Sequence, residues 1–278
     1  MELKKLWKKF ARSPLNIISL IIFIFIILVS LFPGLFATYD PMEMDVEYFM
    51  EGPAASHIFG TDQFGRDIYS RIVYGIQKSM MIASLSIVFA AFFGTLFGVI
   101  SGYFGGIVDM IIMRVIDAMF AFPTLILALF IIALFGASVS NLILAIGVVY
   151  IPIFARTIRG SAITLKELLY VKAAKSLGKT SFSIIMKEII PNLSSVLIVS
   201  FTTNFSTAIL SEASLGFLGL GVPPPEPTLG GMVGEGSPFL LSAPWVTLFP
   251  GMIIAIIVLS INIIGDGLRD TLDPKISK

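Results

Sequence analysis

Gly178-Lys179-Thr180 is the one place in these 278 residues where residue types and order point to nucleotide chemistry. It has the ending of a phosphate-binding loop, G-x-x-x-x-G-K-[ST], whose backbone N–H groups cradle phosphates while the lysine reaches the outer ones. The first glycine of that loop would stand at position 173, which is Ala173. The stretch before it, "KELLYVKAAKSL", is made of helix formers where the loop requires a strand. The nucleotide-binding reading fails on both counts. Other chemistries are bounded as tightly. With no cysteine, disulfides, thiolate metal sites and thiol nucleophiles are excluded. The single histidine, His57, offers no cluster for a metal and reads as a solvated loop side chain. No Ser–His couple, H-E-x-x-H motif or intramembrane aspartate pair supports an enzyme.

What Tyr170 to Asn192 does fit is a helix, a break and a second helix. Lys166 to Leu177 is rich in helix formers. Gly178 then serves as the C′ residue, where a left-handed backbone is needed. Thr180 or Ser181 can cap the next helix, and Pro191 follows near the entry to an apolar segment. Ala173 and Ala174 give small side chains on a helix whose polar side is lysine, so a partner can approach the backbone closely. A basic loop held by lipid headgroups is the alternative.

The elements that position this stretch follow from composition. The chain is 56% hydrophobic and 13% charged, against about 25% charged in soluble domains, and its mean hydropathy is +0.94. It reads as an all-α polytopic membrane protein. A net charge of +1 argues against a nucleic-acid partner, which calls for a basic face. About 20 apolar residues cross a bilayer core, so the uncharged runs Ser13–Tyr39, Ser79–Val108, Ile189–Ser211 and Gly236–Gly265 each hold one span. The run Ala118–Ala155 would reach about 57 Å as one helix. It must turn, at Phe135 to Asn141, and its first helix must begin upstream near Asp109 to Arg114. Six spans result.

An even number of spans puts both termini on one side. With them in the cytoplasm, sixteen Lys and Arg residues face inward and only Arg66, Arg71 and Lys78 face outward. The expected organisation is a cytoplasmic interfacial helix over 1–12, a first span over 13–36 and an extracytoplasmic loop over 37–78. A core over 79–272 follows, containing the basic loop 165–190, and then a tail over 273–278. In the interfacial helix Leu3, Leu6, Trp7 and Phe10 recur at helical spacing between lysines that face anionic lipid. The first span is longer than a signal h-region and is followed by no clear cleavage site, so it reads as an uncleaved anchor.

Charged and polar groups inside spans are the candidates for a path, since an ionisable group costs about 2.5–3.5 kcal/mol there. Arg114 and Asp117 are three apart on one helix face, an internal pair or a path element. Asn204 can line a path or bond a neighbouring helix. Glu212, at the outer end of span five, is either a carboxylate in interfacial water or a gate. In "GTDQFGRD", Asp62 or Asp67 can cap the helix leading into span two. The Gly- and Pro-rich segment Leu215 to Pro244 cannot be one continuous helix.

The stretch "KAAKSLGKTSFSIIMKEIIP" resembles the "EAA" loop of bacterial ABC importer permeases, with Ala173, Ala174, Gly178 and Pro191 at matching spacing. It departs from it at Lys172, which occupies the glutamate position, at Glu188 and at Ile190. "HIFGTDQFGRDIYSRIVYG", "EASLGFLGLGVPPPEPTLGGM" and "FPGMIIAIIVLSINIIGDGLRDTLDP", in that order, resemble the C-type permease of dipeptide, oligopeptide and nickel importers. That resemblance implies a type I importer permease paired with a second, homologous permease, two cytoplasmic ATPases that bind the ATP and Mg²⁺, and an external substrate-binding protein. It implies that Lys172, Ala173, Ala174, Gly178 and Pro191 form the ATPase-coupling element, and that no cofactor or metal is bound here. Peptide is the expected cargo, with nickel or another chelate or small solute as the alternative. A gradient-driven transporter or channel is the rival class. Against it, no span carries a cluster of ionisable residues and no helix is broken in two corresponding halves.

Overall fold

The protein, seen in a computed structural model, is described over residues 7–272, and every described element is helical. Helix α1 (Pro14–Leu31) starts with proline at its first position, where a missing N–H costs nothing. It stops because Pro33 pushes Phe32 out of the helical region (φ −128°, ψ 53°), leaving a single turn, Pro33–Phe36, beyond it. Of the interfacial helix, residues 7–10 are helical, with Phe10 buried and Trp7 exposed. Leu3 and Leu6 lie outside the described residues, as does the tail.

Helix α2 (Ile68–Phe104) runs 37 residues, about 55 Å, well past a bilayer core. It begins eleven residues earlier than the expected loop boundary, because the Asp67 carboxylate accepts the Ser70 N–H and nucleates the helix there. Its second half packs along α5 (Val139–Lys166) through Gly94, Gly98 and Gly102. A Cβ at these positions would come within 2.4 Å of Phe154 Cβ, 2.6 Å of the Ala155 carbonyl and 2.8 Å of Ala162 Cβ. This small-residue stripe, spaced by four, replaces side-chain interdigitation with backbone contact.

The third span is broken. Helices α3 (Gly106–Phe120) and α4 (Thr124–Phe135) meet at 89° across Ala121 to Pro123. Proline has no N–H for the ladder and keeps Phe122 from continuing the helix. The expectation that no helix is broken in two corresponding halves is met in that this break has no counterpart among the described residues. The turn expected at Phe135 to Asn141 is present: Gly136 has φ +83°, Ser138 caps α5, and the Asn141 amide donates to the carbonyls of Phe135 and Gly136.

The remaining long helices are α7 (Ser194–Phe217) and α9 (Trp245–Leu272). Among the described residues, five helices are long and apolar enough to cross a membrane, and the bent pair, taken as one span, makes six. Between α5 and α7 lies the elbow, which includes α6 (Leu169–Ser176). Between α7 and α9 lies α8 (Leu229–Gly236), so the Gly- and Pro-rich segment is partly helical. Its glycines are contact points, since a Cβ on Gly230 would lie 2.4 Å from the Ala213 backbone.

Candidate functional site

The elbow is anchored from below and open above. Helix α5 ends at Lys166, whose ammonium donates to the Gly102 carbonyl at 2.8 Å. Glu167 and Leu168 then turn the chain, so the helix expected from Lys166 through Leu177 is divided, and only Leu169–Ser176 belongs to α6. Leu168, with an extended backbone at the N-cap, breaks the run. At the other end the expectation holds. Gly178 has φ +78°, its N–H donates to the Lys175 carbonyl at 3.0 Å, and the Lys179 N–H donates to the Ala174 carbonyl at 3.2 Å. These are the two bonds of a Schellman stop. Thr180 caps the next turn, Ser181–Ile184, by accepting the Ser183 N–H.

The chain then widens into a π turn, Ile185–Ile189, and tightens into Ile190–Leu193 before α7. Pro191 explains the irregularity: it removes one ladder donor and crowds the carbonyl four residues back. Asn192 donates to the Glu188 carbonyl at 2.6 Å across the disturbed turn.

The two alanines part company. Ala174 is buried with Val171, Ile184, Ile189 and Leu193 against Val99, Ile158 and Ala162, a small core separate from the main one. Ala173 faces outward. Only one of the pair can meet a partner; the other holds the elbow down. Four residues to either side of Ala173 stand large exposed apolar side chains, Leu169 at 86% and Leu177 at 81%, while Phe182, 74% exposed, lines an apolar groove with Phe92, Leu96 and Phe104. Lys172 is exposed as well and pairs with Glu167 at 2.9 Å, while Lys179 pairs with Glu188 at 2.7 Å. The Lys172 ammonium holds the Glu167 carboxyl below its ordinary range, first by hydrogen bonding and then by charge.

The candidate path residues separate as well. Asp117 pairs with Arg156 of α5 at 2.7 Å, not with Arg114 on its own helix. Both side chains are half-exposed, and the Arg156 guanidinium lies 4.1 Å from the centre of the Phe120 ring. Asn204 donates to the Ser200 carbonyl of its own helix; the interhelical bond nearby is made by Ser206 to Asn262 at 2.6 Å. Glu212 is 0% exposed, and its carboxyl group faces the hydroxyls of Ser79 and Thr228. The expectation of a carboxylate in interfacial water is overturned, because α8 folds over that end of α7: Gly216 and Gly231 are close enough that a Cβ on Gly216 would lie 2.8 Å from the Gly231 nitrogen.

The opposite pole carries a network that sequence reading did not find. Asp62, Arg66 and Arg71 are all buried. Arg66 Nε donates to Asp62 at 2.6 Å, and the guanidinia of Arg66 and Arg71 each reach the Glu235 carboxylate of α8 at 3.1 Å. Arg71 also donates to the carbonyls of Pro41 and Pro225. His57 is buried beside Asp67 at 2.9 Å, between the rings of Tyr39 and Tyr48, so it is not solvated. Its proximity to a helix-capping aspartate ten residues on was the signal available in the sequence.

Comparison with known proteins places this architecture. Residues 94–278 match the family described as binding-protein-dependent transport system inner membrane component. Residues 3–53 match the N-terminal TM domain of oligopeptide transport permease C. The dipeptide transport system permease protein of Alkalihalophilus pseudofirmus is 44% identical over 98% of this chain and 90% of its own. A glutathione transport system permease protein of Escherichia coli is 39% identical over 97% and 89% respectively. Among solved structures, an inward-facing form of the MetNI methionine ABC transporter aligns with TM-score 0.59 at 20% identity, over 73% of this chain and 97% of that one. That likeness speaks for the fold, and the two permease relatives cover nearly the whole chain. The protein belongs to the inner membrane components of binding-protein-dependent transport systems.

Proposed function

We propose that this chain is one of two homologous permease subunits in an ATP-driven importer that carries di- or oligopeptides across the cytoplasmic membrane by alternating access. The termini and the elbow lie in the cytoplasm on this reading, as the distribution of Lys and Arg requires. Two ATPase subunits supply the hydrolysis, and an external binding protein delivers cargo to the pole built around Arg71. Peptide cargo is supported by the names of the dipeptide and glutathione relatives.

The observation that carries the proposal is the construction of the elbow. Its α6 is fastened to the bundle through Ala174 and Val171 and stopped by Gly178, yet it presents Leu169, Ala173 and Leu177 to the outside. A short helix rigidly joined to two spans transmits a push from a docked subunit, and rocking of the permeases then opens one side and closes the other. Within the bundle, Asp117 has the exposure expected of a path residue. Glu212 and Asn204 would need a rearrangement of α8 or α7 to reach one.

Gly178→Pro in the assembled complex is the test. Proline cannot take φ +78°, so the stop is lost and α6 changes direction. Uptake into proteoliposomes should fall at least tenfold while ATP hydrolysis continues. Uptake at the wild-type rate would end the coupling role.

A further inference from the structure

The outward face of the elbow has a charge pattern that specifies its partner. Between residues 165 and 190 stand Lys166, Lys172, Lys175, Lys179 and Lys187 against only Glu167 and Glu188. Both glutamates are already engaged by lysines of the same chain, Glu167 by Lys172 and Glu188 by Lys179. No carboxylate remains to offer a cation, and Lys175 and Lys187 make no ion pair among the described residues. Leu169, Lys172, Ala173 and Leu177 share one face at spacings of three, four and eight. The centre of that face is small and apolar, its ends are large and apolar, and its flank is a cation 57% exposed that is held only by a carboxylate five residues away.

We propose that this face docks into a cleft of the ATPase subunit that is apolar at its floor and rimmed by carboxylates, and that Lys172 leaves Glu167 for one of those carboxylates on docking. The inference rests on the importer reading above and adds the chemistry of the partner. Where the family pattern places a glutamate, this chain places Lys172, so the charge requirement on the cleft is inverted at that point.

A membrane surface is the competing occupant, since lysines and leucines also suit anionic lipid. The length of α5 argues against it. Its 28 residues extend about 42 Å, some 12 Å more than a hydrocarbon core of about 30 Å. Arg156, Arg159 and Lys166 all lie in its elbow half, so the excess projects at the elbow. Helix α6 also spends its buried face, Val171 and Ala174, on the bundle. Leu169 and Leu177, 86% and 81% exposed, are left outside that packing.

The test uses the purified complex. Ala173→Cys, in a chain without native cysteine, marks the docking site by cross-linking. ATPase retention on the permease is then measured against salt. Lys172→Glu should weaken retention at least tenfold at low salt, and reversal of a carboxylate next to the cross-linked position should restore it. Glu167→Gln keeps the lysine and removes its competitor, so it should hold the ATPase to higher salt than wild type. It also controls for loss of the internal ion pair. Wild-type retention and salt dependence in both variants, with the cross-link intact, would overturn the acidic rim and leave the importer reading standing. Failure of any ATPase to co-purify with the wild type would overturn both. Loss of binding to phosphatidylglycerol vesicles in Lys172→Glu, with ATPase retention unchanged, would assign the face to lipid and overturn the proposal.

Discussion

The two poles of the molecule handle charge in opposite ways. At the pole around Arg71, the four charged side chains Asp62, Arg66, Arg71 and Glu235 are drawn inward and tie the 37–67 segment, the start of α2 and helix α8 together. At the elbow, ion pairs are left on the surface, and the large apolar residues lie outside beside them. Buried charges are costly to break and fix one arrangement, whereas exposed pairs are weak and exchangeable. One pole is built to keep its shape, and the other leaves its charges free to exchange partners.

Substitutions can break that contrast. The largest effect is expected for Arg71→Met, which leaves Asp62 and Glu235 short of a partner in a buried site; losing one member of such a pair costs about 3–5 kcal/mol. Thermal denaturation in detergent should show a large drop, and a drop no bigger than that of an elbow variant would remove the distinction between the poles. Next comes Gly98→Val, whose Cβ would press to within 2.6 Å of the Ala155 carbonyl. Overpacking of this kind costs about 1–3 kcal/mol and should appear both as lower stability and as lost assembly, because α2 and α5 carry the elbow.

The elbow itself should tolerate change in stability while losing function. Thr180→Ala removes one cap, about 1 kcal/mol, and is expected to lower uptake more than it lowers the melting temperature. If both fall in proportion, the elbow is only another structural segment. The smallest effect concerns pH. Glu167 is held by Lys172 below its ordinary range, so the pair is fully formed above the unfolded carboxyl's pKa and is lost as pH falls through the lowered folded one. Stability should barely respond, because the pair lies in water. Melting temperature followed through that window checks this, and a large fall there would show that the pair fastens the elbow rather than lying exchangeable on its surface.

Much of the site could be read from local pattern. Gly178 and Thr180 were legible because helix stops and caps depend on a few adjacent residues whose backbone preferences are intrinsic. The split of Ala173 from Ala174 was not, since which alanine faces the bundle depends on how α6 is rotated by its neighbours. The Gly94, Gly98 and Gly102 stripe was visible as a spacing of four in "GTLFGVISG", yet its meaning required α5 to lie against it. The partner of Asp117 was misread for the same reason: its own helix offered Arg114 three residues away, and only the crossing of α3 over α5 brought Arg156 closer.

By itself, then, the sequence determined that the chain carries five or six segments fit to cross a membrane and that the elbow's first helix stops at Gly178. These follow from transfer energies and backbone preferences that act over a single turn or span. Only the tertiary structure decided that Glu212 and His57 are enclosed, that Asp62, Arg66, Arg71 and Glu235 form one network, and that the third span bends by 89°. Ion pairing joins residues up to 169 positions apart, and no local preference encodes which of the available partners will be brought together.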